Sequence, residues 1–312
     1  MNETTTPLSA APLSASLVSD PAPEAVETSS LFADLMELTK ARLSTLVLMT
    51  TFVGFALASG SHLDWVRLLH TLLGTGLVAG AAAVLNQAIE ADIDRLMERT
   101  RQRPLPARRI SRGAAVAIGV LMAVAGLADL ALATTFVATY LAAATLLIYL
   151  AIYTPMKRRS SLCVSIGAVS GAIPPVLGWT AVNGTVGLGA WVLFGILFTW
   201  QMPHFLAIAW MYRDQYAQAG FRMLRCSDTN GRVTAVQSLV FSLLLTAITL
   251  IPFFRQGAGW LYLVGTLLCN AVLLACAVGF LAARSRSAAR WLFFASILYL
   301  PLVLGLMVFA VR

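Results

Sequence analysis

Apolar residues gather along this chain into nine long blocks, covering approximately 41–59, 67–90, 113–131, 134–156, 161–181, 186–212, 233–254, 258–283 and 290–311. Each is roughly 17 to 25 residues, the length a helix needs to cross about 30 Å of hydrocarbon. No soluble domain interrupts the series. The pattern predicts an all-α polytopic membrane protein whose nine transmembrane helices form one bundle. The connections alternate in length and polarity. Those near 60–66, 132–133, 182–185 and 255–257 are short, whereas 91–112 and 213–232 are each about 20 residues long, and loops of that size in a compact bundle tend to be functional. These two follow the second and sixth spans, which hints at an internal duplication in which each half brings one polar loop to a shared site.

Composition agrees with a membrane solvent: 59% of residues are hydrophobic and 12% charged, with mean hydropathy +0.80. Of the 22 basic residues, all but Arg67, Arg255 and Arg312 fall on one side of the nine spans. The positive-inside rule makes that side cytoplasmic, so the amino terminus is expected in the cytoplasm and the carboxyl terminus outside. The net charge of +8 is then a matter of topology and anionic ligands, and nucleic acid need not be invoked. Residues 1–30 are rich in Ala, Ser, Thr and Pro and contain no Lys or Arg. They read as a disordered cytoplasmic tail preceding a membrane domain over 31–312, without the features of a signal or transit peptide. A bacterial inner membrane is the expected location. Cys163, Cys226, Cys269 and Cys276 form no metal or disulfide framework.

Within the blocks, Gly74, Gly76 and Gly80 in the second span and Gly167, Gly171 and Gly178 in the fifth allow close helix approach. Pro174-Pro175 removes backbone donors in mid-membrane. This predicts a helix break bordering a central cavity. His62, His70 and Asp129 sit toward the outer ends of spans and read as interfacial or locally paired.

The candidate chemistry lies where the second span ends. Asn86, Glu90 and Asp94 recur at i, i+4 and i+8 and share one helical stripe. Asp92 falls about 200° away from Glu90 on a continuous helix. Acids at the end of a membrane helix are costly unless a cation or substrate uses them. Oxygen ligands on one face suit Mg²⁺, which takes carboxylates together with substrate phosphates. The alternative is a solvated helix end whose acids pair with Arg95, Arg99 and Arg101. Arg99 and Arg103, four apart, can face one ligand, and guanidinium groups match phosphate oxygens; the alternative is charge for topology alone. Lys157-Arg158-Arg159 carries the same two readings. The second polar loop offers Arg213 and Asp214, a further cation and carboxylate. In the sixth span, Trp200-Gln201-Met202-Pro203-His204-Phe205 puts Gln and His inside an apolar helix, where they must face protein or a cavity. His204 could contact a haem iron or hydrogen-bond an acidic substrate.

These pieces resemble the UbiA-type intramembrane prenyltransferase superfamily, and within it the branch that modifies haem. The similarity runs from about Leu38 to the end. It is carried by Leu38-Thr39-Lys40-Ala41-Arg42, Asn86 to Pro104, Tyr153-Thr154 with Lys157-Arg158-Arg159, Gly171 to Pro175 with Gly178-Trp179, Trp200 to Phe205, and Tyr212 to Leu224. The resemblance implies nine helices around a central lateral cavity, with Mg²⁺ held against an isoprenoid diphosphate. By position it implies Asn86, Glu90, Asp94 and Asp214 as catalytic, with Glu90, Asp92 and Asp94 toward the metal. Lys40, Arg99, Arg103, Lys157 and Arg213 would face the diphosphate, and Trp200, Gln201 and His204 the haem. Three positions depart from the family pattern: Glu90 and Gln215 stand where Asp is usual, and Cys163 where Asn is expected.

The implied reaction joins farnesyl diphosphate to a vinyl group of haem B, adds water and releases pyrophosphate, giving haem O for terminal oxidases. The implied partners are those two substrates and the lipid bilayer, with haem A synthase or terminal oxidase assembly proteins as further candidates. Two other readings stand beside it. One is prenylation of an aromatic quinone precursor, the other a haem transporter or chaperone that binds without turnover.

Overall fold

A computed structural model describes residues 30–98, 100–218, 220, 224 and 228–310. The tail 1–29, Arg99, Arg222, Arg225, Cys226 and Arg312 lie outside the described residues. Among those described, nine helices are long and apolar enough to cross a membrane, which makes this a multi-pass membrane protein. In chain order the elements are α1 (Leu31–Leu38), α2 (Ala41–Ser59), α3 (Trp65–Asp94), α4 (Arg112–Ala133) and α5 (Phe136–Leu147). A π-helical turn (Ile148–Tyr153) and α6 (Thr154–Met156) continue α5, followed by α7 (Cys163–Asn183), α8 (Leu188–Met211), α9 (Arg213–Gln218), α10 (Arg232–Arg255), α11 (Trp260–Ala283) and α12 (Arg286–Ala310). The nine expected spans are all present.

Length decides where the polar rim sits. The 30 residues of α3 extend about 45 Å at 1.5 Å per residue, well beyond the hydrocarbon thickness. Its last turns therefore carry Glu90 and Asp94 to one edge of the bundle. A short helix that hydropathy did not predict, α1, lies along that same edge. Ser30 caps its first turn, accepting from Ala33 N at 3.2 Å. Its apolar Leu31 and Phe32 are exposed while Asp34 and Leu38 turn inward. Gln87 on α3 donates to the Glu37 and Leu38 carbonyls at 3.2 and 2.7 Å, satisfying acceptors that a helix end leaves open.

The helices pack as a ring of neighbours: α3 against α4, α2 against α7, α7 against α8, α8 against α10 and α12, and α10 and α12 both against α11. Two devices hold it. Where α2 crosses α7, Gly54 and Gly178 bring the backbones together, since a Cβ on either would run into a carbonyl of the other helix. Between α10, α11 and α12, Tyr262 donates to the Thr249 carbonyl (2.7 Å), Asn270 to Thr249 Oγ1 (3.1 Å) and Tyr299 to Asn270 Oδ1 (2.6 Å). Such interhelical bonds serve as glue where lipid competes for apolar contacts. The local pairing expected for Asp129 is present, with His70 Nδ1 at 2.7 Å.

The break expected at Pro174-Pro175 does not occur. α7 continues through both prolines, and both are buried. The carbonyls freed four residues back are tolerated because neighbouring helices enclose the segment. Nor does α7 contribute to the polar cavity described below; it is a core helix pressed between α2, α5 and α8.

Replacing Gly178 with Leu is expected to cost about 1–3 kcal/mol through overpacking, read as a lowered midpoint of thermal unfolding in detergent. Gly113→Ala, with nothing near its added carbon, should leave the midpoint within experimental scatter.

Candidate active site

The stripe read from the sequence is real. Asn86, Glu90 and Asp94 are all buried and line up on one side of α3 as it reaches the rim. A carboxylate held that far from water needs a positive partner, and each finds one from elsewhere in the chain. Lys157 Nζ sits 3.0 Å from both oxygens of Glu90. Arg103 Nη1 donates to Asp94 Oδ2 at 2.8 Å. Lys40 Nζ reaches Asn86 Oδ1 at 3.4 Å, and the same amide donates to Thr154 Oγ1 at 3.1 Å.

Three local features deliver those cations. Lys40 occupies the junction of α1 and α2 with φ 48°, a left-handed conformation rare for a side-chain-bearing residue, which turns the chain so that its amine enters the site. Burial, then repulsion by Lys157 and Arg103, lowers its pKa to about 8, with Glu90 and Asp94 opposing the shift. Arg103 rides on the 95–111 loop, which is pinned by Thr100 Oγ1 to the Asp94 carbonyl (2.8 Å) and by Arg109 Nε to both oxygens of Asp34 (2.9 and 3.1 Å). Lys157 follows the π-helical turn, an irregularity that concentrates at functional sites.

Lys40, Glu90, Asp94, Arg103 and Lys157 line a cavity of about 700 Å³, whereas Asn86, expected to be catalytic, is not part of that lining and bonds to Lys40 and Thr154. Tyr149, Tyr153 and Tyr216 form part of its wall. The first two rings are 5.1 Å apart, and Lys157 Nζ lies 4.7 Å from the centre of the Tyr153 ring. The sequence reading did not assign these tyrosines to the site. For Tyr149 and Tyr153 the available signal was their spacing, eight and four residues before Lys157 on the same helical face.

Other expected residues are not brought together. Asp92 is 71% exposed and pairs with Arg112 at 3.4 Å and Arg95 at 3.9 Å. Because α3 stays helical to Asp94, Asp92 is carried to the opposite face and does not join Glu90 and Asp94. Asp214 does not reach the cavity either: on α9 it is 84% exposed, 3.6 Å from Arg213, whose guanidinium lies over the Trp210 ring. Tyr216, two residues on, faces the cavity instead, as helical geometry requires. The buried acid of this loop is Asp228. It accepts from the backbone of Val233 and Thr234 and from the Thr234 hydroxyl, capping the start of α10.

Trp200, Gln201 and His204 are absent from the polar cavity's lining. Gln201 fills the notch left by Gly171 and donates to the Ala168 and Leu197 carbonyls at 3.2 and 3.0 Å, so its amide protons are used for packing rather than ligand. Trp200 Nε1 donates to the Ser296 carbonyl at 2.7 Å, and His204 Nδ1 lies 2.8 Å from Ser296 Oγ.

No group of three or more His, Cys, Asp and Glu residues among those described could hold a metal unaided. Glu90 and Asp94 nevertheless fit Mg²⁺, an ion commonly bound by one or two carboxylates completed by substrate phosphates and water. Three cations surround two carboxylates here.

Comparison with known proteins identifies the family and the fold. Residues 47–298 match the model of the UbiA prenyltransferase family. A protoheme IX farnesyltransferase of Solibacter usitatus (strain Ellin6076) is 44% identical over 283 residues, covering 88% of this chain and 97% of the relative. A second, from Koribacter versatilis (strain Ellin345), is 42% identical over 288 residues, covering 89% and 93%. Among solved structures, a digeranylgeranylglyceryl phosphate synthase superposes with TM-score 0.78 at 16% identity, covering 90% of this chain and 98% of that one. A UbiA homolog from Archaeoglobus fulgidus bound to GPP and Mg²⁺ gives TM-score 0.64 at 13% identity, covering 88% and 99%.

As pH rises through about 8, Lys40 loses its proton in the empty site. A bound diphosphate stabilises the charged amine, so above that pH binding must take up a proton and affinity falls. Calorimetric titration with a prenyl diphosphate in buffers of different ionisation enthalpy should detect the uptake. Lys40→Arg, charged throughout, should abolish it.

Proposed function

From membership of the UbiA prenyltransferase family, to which this chain belongs, we propose that it transfers a farnesyl group from farnesyl diphosphate to a vinyl group of haem B. Water is added, and haem O and pyrophosphate are the products. The observation that carries the reading is the convergence of Glu90, Asp94, Lys157, Arg103 and Lys40 on one cavity beside an aromatic wall. Identity above 40% to relatives named for this reaction supports the choice of acceptor.

Glu90 and Asp94 would hold Mg²⁺, which supplies Lewis-acid charge to the departing pyrophosphate. Lys157, Arg103 and Lys40 bind the phosphate oxygens and stabilise the negative charge that grows as the bond from farnesyl C1 to oxygen breaks. Tyr149 and Tyr153 present ring faces, whose negative quadrupoles favour the developing allylic cation. The surrounding apolar helices keep water from quenching it before the vinyl carbon attacks. The new C–C bond leaves a cation next to the macrocycle. Water adds there and loses a proton, giving the hydroxyl group of the product. His204, on α8 where it meets α12, would contact the haem, whose vinyl group must reach the farnesyl carbon released in the polar cavity.

On this reading the basic rim faces the cytoplasmic side of a bacterial inner membrane. Partners for the product belong to the same reading, in haem A synthase or terminal-oxidase assembly proteins. The aromatic-acceptor and transporter readings gain no observation of their own.

Purified protein given farnesyl diphosphate, haem B and Mg²⁺ should yield haem heavier by farnesyl plus water on mass spectrometry. Asp94→Asn should reduce turnover about 10²–10³-fold, the usual effect of removing one transition-state contact. Full activity in that variant would end the metal role. Asp214→Asn, exposed and remote from the cavity, should retain activity within about twofold of wild type.

A further inference from the structure

We infer that Ser296 of α12 fixes His204 in a single tautomer, with the proton on Nδ1 and Nε2 left as a bare lone pair. His204 thereby acts on the haem as an iron ligand and not as a hydrogen-bond donor to its carboxylates. This rests on the haem reading above and deepens it, because that reading leaves open how the imidazole meets the substrate.

The inference follows from counting protons. A serine hydroxyl has one to give. Ser296 Oγ lies 2.6 Å from the Phe293 carbonyl, an oxygen that can only accept, so the serine proton is committed there. Toward His204 Nδ1, at 2.8 Å, the serine can therefore only accept, and Nδ1 must carry hydrogen. In a neutral imidazole the other nitrogen is then unprotonated. His204 Nε2 has no hydrogen-bond partner among the described residues, and the residue is only half-buried.

The neighbours strengthen the assignment. The His204 ring stacks against Trp200 and Phe293, both with centroids 5.0 Å away, which restrains its rotation. Trp200 is itself anchored by its indole N–H to the Ser296 carbonyl at 2.7 Å. Gln201 spends its amide protons on Ala168 and Leu197. Every side-chain N–H of Trp200, Gln201 and neutral His204 is thus consumed inside the protein. From these three side chains a haem carboxylate would find no donor, whereas ferrous or ferric iron would find one free nitrogen. Histidine ligands to metals are oriented in this way, by a hydrogen bond from the nitrogen that does not bind.

Ser296 is accordingly a positioning residue, and spectroscopy tests it independently of turnover. Haem B bound to the protein in lipid nanodiscs and reduced under anaerobic conditions should show one iron–histidine stretching band in its resonance Raman spectrum. His204→Ala should lose the band. Ser296→Ala orphans the Nδ1 proton, so the proton can move to Nε2; the band should broaden or shift, and haem affinity fall about tenfold. Ser296→Thr keeps the accepting hydroxyl and should restore the wild-type band. If Ser296→Ala gave the wild-type band and affinity while His204→Ala lost the band, the positioning role would be wrong and the haem contact would stand. An unchanged band in His204→Ala would remove both.

Discussion

Two carboxylates buried at the end of a membrane helix are tolerable only with compensating charge, and the first half of the molecule is arranged around that need. Glu90 and Asp94 come from a helix long enough to overrun the apolar layer. Their ion-pair partners come from two separate segments, the 95–111 loop and the end of the α5 span, and Lys40 at the α1–α2 junction joins the stripe through Asn86. With no ligand, the acids and bases neutralise one another. On the proposed reading a magnesium diphosphate would offer both sets partners at once, so metal and substrate should favour each other's binding.

The polar machinery is unevenly shared between the two halves. Sequence symmetry suggested one acidic loop from each. Among the described residues, the second loop contributes Tyr216 to the cavity and keeps its buried acid, Asp228, for capping a helix. The second half is organised instead around apolar packing and a Tyr–Asn–Thr network. Within it the His204 imidazole is braced between two aromatic rings. The buried charges thus lie in the first half and the braced imidazole in the second.

What the sequence disclosed followed the strength of each physical signal. Nine spans were legible because hydrocarbon thickness imposes length, and the 86–90–94 stripe because helical period imposes spacing. That same period already put Asp92 on the far face, and the structure sides with geometry over the motif that would group it with its neighbours. The Glu90–Lys157 pair joins residues 67 apart, a relation no local pattern encodes. Pro174-Pro175 misled because the cost of a proline depends on what surrounds it, and burial within the bundle is a tertiary property. The α1 helix was missed because eight residues at an interface produce no hydropathy signal of spanning length.

The left-handed backbone at Lys40 has an evolutionary corollary. A glycine there would relax the strained dihedral and remove an amine buried at some cost, making the fold more durable while, on the proposed reading, taking a phosphate contact out of the pocket. Selection for robustness and selection for chemistry therefore pull this one position in opposite directions. If Lys40 serves the proposed chemistry, a variant library screened on heat tolerance alone would enrich hardy but idle molecules at residue 40.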